Sequence, residues 1–155
     1  MSIESSSSHD RPAVDISLLI LRVVVGVIFA AHGAQKVFGA FGGPGLEGIT
    51  AAPPDGMGLL GYPVAIGEFF GGLGIIIGFL SRFSAAANIV IMLGAIAMVH
   101  GKNGFFQSDG GFEYNLALIG LLAPILIAGP GRFAIGRFLP LPKSPPSDRP
   151  IVVLE

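Results

Sequence analysis

No cysteine occurs anywhere in the 155 residues. Its absence excludes disulfides, thiolate catalysis, cysteine-ligated iron–sulfur or zinc centres and covalent c-type haem attachment within the chain. Any thiol chemistry must belong to a partner. Charge is also scarce, since Asp, Glu, Lys and Arg make up 12% of the residues against about 25% in an ordinary soluble domain. With 52% hydrophobic residues and a mean hydropathy of +0.76, such a chain cannot cover itself with polar surface. Nine basic and ten acidic residues give a formal charge of −1, without the basic field that attracts nucleic acid, so nucleic acid is excluded as a partner. Glycine is abundant instead, with 24 residues, many of them inside apolar runs where helices pack closely in lipid. The expected surroundings are a lipid bilayer.

Four apolar segments predict transmembrane helices over residues 16–38, 62–80, 83–100 and 113–128. Ser81 and Arg82 make a tight turn between the second and third, Pro124 interrupts the fourth, and Gly129, Pro130 and Gly131 close it. The predicted fold class is therefore all-α, a polytopic membrane protein built as an antiparallel four-transmembrane-helix bundle over residues 16–138. Residues 1–15, with the run Ser5 to Ser8, and the Pro-rich stretch 139–155 read as disordered cytoplasmic tails. The first apolar segment also has the outline of a cleaved leader, with Arg11 before it and small residues near its end. It is read as a retained span, since its removal would discard Arg22, His32 and Lys36.

Four crossings put both termini on one side. Arg11, Arg22, Arg82, Arg132, Arg137, Lys143 and Arg149 lie on or near that side, against Lys36 and Lys102 opposite. The positive-inside rule then places both termini in the cytoplasm of a multi-pass protein of the inner or plasma membrane. The Gly- and Pro-rich connection 39–61 becomes an extracytoplasmic loop that can fold back over the bundle. Its G-x-G-x-x-G stretch, Gly43 to Gly48, lacks the strand–turn–helix setting of a dinucleotide fingerprint and is read as chance.

Helical spacing sorts the polar residues. Gly67, Gly71, Gly74 and Gly78 form one stripe of the second span, which a neighbouring helix can approach closely. Arg22, Gly26, Phe29, Gly33 and Lys36 share a face of the first, with His32 at its edge, and that face is expected to point into the bundle. Glu113, Ala117, Gly120 and Pro124 share a face of the fourth. Running the spans alternately out and in brings His32, Lys36, Glu68, His100 and Glu113 into the outer half, and Arg22 and Asn88 into the inner half. A bare carboxylate at the depth of Glu68 is costly in lipid, so either a structural ion pair or a function must explain it, and depth favours Lys36 as its partner. Arg22 reads as a snorkelling anchor or as a partner of Asn88. Two histidines and two carboxylates also raise a metal or a haem, but no compact ligand spacing supports either. Both are disfavoured, and the cofactor is left open.

Five segments now stand out: LLILRVVVGVIFAAHGAQKVFG from Leu18 to Gly39, GEFFGGLGIIIGFLSRFSA from Gly67 to Ala85, HGKNGFF from His100, GFEYNLAL from Gly111 and GPGRF from Gly129 to Phe133. Together they resemble the DoxX family of small four-helix membrane proteins over residues 18–133. The resemblance marks Arg22, Gly26, His32, Gly33 and Lys36, then Glu68, Gly71 and Gly72, Arg82, His100, Glu113 and Tyr114. Two departures appear: Ala134, Ile135 and Gly136 replace a segment that often carries an aspartate, and Pro53 with Pro54 interrupts a loop that commonly looks helical. The family's name comes from a membrane subunit associated with quinone-linked oxidation of reduced sulfur, and relatives are linked to quinone resistance and membrane oxidoreductase complexes.

The resemblance and the polar layer together frame a redox-associated membrane protein, a quinone-linked oxidoreductase subunit, whose outer-half pocket takes a quinone or a similar apolar aromatic molecule. In that reading Glu68 and His32 exchange protons, Lys36 balances charge, and His100, Glu113, Tyr114 and Arg22 bind ligand. The first alternative is a non-catalytic assembly or anchor subunit of an oxidoreductase complex; the second is a small carrier. An oxidoreductase partner and a homo-oligomer both stay open.

Overall fold

The structure is a computed structural model that describes residues 10–137. It is all-helical, without a strand among the described residues. Five α-helices follow in order: α1 (Asp10–Phe38), α2 (Gly45–Thr50), α3 (Gly61–Ile77), α4 (Ser81–Ala95) and α5 (Glu113–Ala128). A five-residue π-helical turn, Ile96–His100, extends α4, and single 3-10 turns punctuate the connections. Three stretches are long and apolar enough to cross a membrane, Pro12–Phe38, Gly58–Ile77 and Ser81–Asn103, and α5 is a shorter apolar helix.

The boundaries follow local chemistry. Pro12 sits in the first turn of α1, where its missing N–H costs nothing. Gly78 closes α3 at φ 78°, in the left-handed region that a Cβ disfavours, with its N–H on the carbonyls of Gly74 and Ile75. Helix α1 begins at Asp10, so residues 10–15, which the sequence reading assigned to a disordered tail, are helical. Asp10, Arg11 and Asp15 ride on the same helix as the apolar residues that follow. The rest of that tail, and the tail 139–155, lie outside the described residues.

Glycine makes α3 the central element, because both of its flanks are shaved. Gly26 on α1 and Gly72 on α3 face each other so closely that a Cβ on either would lie 2.8 Å from the other's carbonyl oxygen. A Cβ at Gly33 would run into the backbone of Phe69. On its other flank the stripe foreseen from spacing receives α4: a Cβ at Gly67 would come within 2.7 Å of Ile91 Cδ1, and one at Gly74 within 2.9 Å of Ser84 Oγ. Gly78 departs from that stripe and abuts Arg22 and Ala134 instead. Helix α5 packs chiefly on α4 and only lightly on α1. Val25, Phe29, Ile75, Met92, Leu118 and Leu122 meet in one core between these helices.

Candidate functional site

The inward face of α1 is as its spacing predicts. Arg22, Val25, Gly26, Phe29 and Gly33 are all buried, and Lys36 continues the line at the C-terminal end. There Lys36 Nζ donates to Glu68 Oε2 at 2.5 Å, an ion pair in which the carboxylate side chain is 5% exposed and the lysine 20%. The helical spacing of α1 and the close α1–α3 contact through Gly33 bring the two together. The same ammonium lies 3.5 Å from the carbonyl oxygen of His32.

The pair borders a cavity of about 530 Å³, within the size range of sites for small organic ligands. Its walls are mostly apolar, from Phe29 on α1, Val64 on α3, Ile91 and Met92 on α4, and Leu118 on α5. Met57 and Leu60, from the connection 39–61, join the lining. The polar groups on the lining are few: Lys36, Glu68, His32, His100, Gln107, Tyr114 and Asn115. His32 and Tyr114 face each other across α1 and α5, with ring centroids 6.1 Å apart. His100 Nδ1 lies 2.8 Å from the carbonyl oxygen of Gly110, which fixes the ring against the turn before α5. The structure thus brings together Glu68, Lys36, His32, His100 and Tyr114. Among the described residues no hydrogen bond joins His32 to Glu68, so a proton passing between them needs a ligand or water in the cavity.

Two residues of the predicted set lie elsewhere. Glu113 is not on the cavity wall; its Oε2 accepts the backbone N–H of Gln107 at 3.0 Å. It shares with Ala117, Gly120 and Pro124 the outward face of α5, all four exposed, so the stripe read from spacing is real but turned away from the site. Arg22 is likewise absent from the lining, and it does not snorkel: it is 0% exposed. Nη2 donates to the carbonyl oxygen of Phe133 at 2.6 Å, which pins the chain beyond α5 to α1. Nε and Nη1 have no partner among the described residues. Nor does Arg22 engage the Asn88 amide, whose Nδ2 donates to the carbonyls of Ser84 at 2.9 Å and Gly67 at 3.4 Å.

Sequence reasoning missed Asn115, Gln107 and the apolar walls of α4. Asn115 carried a legible signal, a polar side chain inside an apolar span, and its Nδ2 is spent on Met92 Sδ at 3.4 Å. Gln107 and Met98 carried none, because a loop glutamine and a span methionine are ordinary.

The profile of the DoxX family matches residues 17–101, more than half of the chain and the part that supplies α1, α3, α4, the Lys36–Glu68 pair and His100. The chain belongs to the DoxX family. Among curated proteins, this DoxX chain is similar to "Inner membrane protein YqjF" of Escherichia coli (strain K12), with 29% identity over 128 residues, covering 81% of this chain and 93% of that one. It is also similar to "Putative oxidoreductase CatD" of Bacillus subtilis (strain 168), with 31% identity over 104 residues, covering 67% and 74% of the two chains. No solved structure matches it. With its three long apolar helices and this family, it is a multi-pass membrane protein seated in the lipid bilayer.

Proposed function

We propose that this DoxX protein crosses the membrane four times, α5 included, with both termini in the cytoplasm, and that its cavity holds a quinone-type ring as part of a redox-associated membrane system. The observation that carries the reading is a nearly buried ion pair, Lys36–Glu68, on the wall of a cavity that is mostly apolar. An apolar cavity accepts a ring from the bilayer, and a few fixed polar groups then orient it. Lys36 and Tyr114 offer donors to a ring carbonyl. Glu68, released from Lys36 as a proton arrives, and His32 can each take up or give up that proton. The oxidoreductase name of the Bacillus subtilis relative accords with this chemistry. Thiol redox chemistry is closed to a chain without cysteine, and this reading routes electrons through the ring itself or a partner subunit.

The test is Glu68→Gln in proteoliposomes with a decyl-substituted benzoquinone. The variant is expected to insert normally and to lose quinone binding and quinone-linked activity; unchanged binding and activity would remove Glu68 from the mechanism. Protease mapping of the two ends checks the topology, which an externally cleaved C-terminus would overturn.

A further inference from the structure

Some residues that line the cavity are also exposed, and they form two sets of opposite character. His32, Gln107 and Tyr114 make a polar set. Leu60, Pro63, Val90 and Met98 make an apolar one, in which Val90 is 67% exposed and Met98 59%. Leu60 and Pro63 stand at the start of α3. Val90 and Met98 lie four residues either side of Gly94, on one line along α4 and its π-helical extension. Further along the same two helices the seam is shut by Gly67 against Ile91, Gly71 against Asn88 and Gly74 against Ser84. At Gly94 it is open: this glycine lines the cavity, and a Cβ built there meets no atom within 4 Å. Both helices belong to stretches long and apolar enough to span the membrane, and the residues at the open part of the seam are exposed and apolar.

We infer that the gap between α3 and α4 is a lateral portal, with Gly94 on its sill, through which an apolar molecule dissolved in the bilayer reaches the Lys36–Glu68 site. Glycine at position 94 keeps the passage wide where any side chain would narrow it. An aqueous solute gains nothing from a doorway of Leu60, Pro63, Val90 and Met98, whereas a lipid-phase ring with an alkyl tail leaves the tail there. The inference builds on the ligand-cavity reading above and adds the route and the phase from which the ligand comes.

The experiment uses the full chain in lipid vesicles with a diazirine-bearing aromatic hydrocarbon dissolved in the bilayer. After photolysis, mass spectrometry reads carbene adducts on Phe29 and Met92, two buried residues of the cavity wall. Adducts on both are expected in the wild type. Gly94→Leu should lose most of them, while Gly120→Leu should keep them, because Gly120 is equally free of neighbours but lies off the cavity on α5. Val90→Trp narrows the same seam from its rim and replaces Gly94→Leu if that variant does not insert. Absence of adducts in the wild type, or equal labelling in wild type and the narrowed variants, overturns the portal. Addition of excess decyl-substituted benzoquinone separates the two readings: protection of Phe29 and Met92 supports the quinone site, and labelling that is portal-dependent but unprotected keeps the portal and discards the quinone.

Discussion

The helix assembly buries a charge at each end, and the two ends treat it differently. At one end Glu68 is paired with Lys36 and borders a cavity. At the other Arg22 is fully enclosed, with one hydrogen bond to the Phe133 carbonyl and no carboxylate partner among the described residues. Both would be costly alone in lipid, so burial by itself does not mark a site. The distinguishing property is space: the pair has a void beside it, whereas the guanidinium is packed against Gly78 and serves to fasten the chain after α5 through the Phe133 carbonyl.

This contrast predicts unequal responses to the same kind of substitution. Lys36→Met leaves a nearly buried carboxylate unpaired, and breaking such a pair costs about 3 kcal/mol at the lower end of its range, allowing for the partly exposed lysine. The loss is expected as a lowered unfolding temperature in detergent, and Lys36→Met with Glu68→Leu should recover most of it. A double variant as unstable as the single would mean that the pair does more than neutralise itself. Arg22→Met should cost about 1–2 kcal/mol, since it leaves the Phe133 carbonyl without its donor while relieving a buried charge that has no carboxylate partner among the described residues. It should leave quinone binding intact while making the chain after Gly129 easier to cleave by protease; lost binding would join the two ends functionally. The smallest effect belongs to Arg82, whose Nε and Nη2 donate to the Leu126 and Ile127 carbonyls at 2.8 and 2.6 Å. Arg82→Ala removes this tether at the C-terminal end of α5 and should cost about 0.5–1 kcal/mol, read as faster hydrogen exchange in the last turn of α5.

How far the sequence could be read follows the same division. The faces of α1 and α3 were legible because glycine spacing and helical periodicity act within one helix, and the Lys36–Glu68 pair followed once depth was added. Depth also drew in Glu113 wrongly, because level along a helix says nothing about which way a side chain points; Ala117 and Gly120 could as well face lipid as core. Arg22 was misread for a complementary reason. A long basic side chain near the end of the predicted span 16–38 usually reaches water, but Arg22 sits in the middle of α1, and the chain returns at Phe133 to meet it. The cavity itself was invisible to periodicity, since it depends on where α3 and α4 part and on how the loop before α3 covers the gap.

The contact between His100 and Gly110 has a chemical consequence. A carbonyl oxygen can only accept, so the proton of a neutral His100 must sit on Nδ1, leaving the lone pair on Nε2. In that tautomer the ring offers a ligand an acceptor and no donor. Lys36 offers the opposite, donors and no acceptor, and the Tyr114 hydroxyl can do either. A ring of the kind proposed, cycling between carbonyl and hydroxyl forms, would then meet donors for its oxidised form at Lys36 and an acceptor for its reduced form at His100.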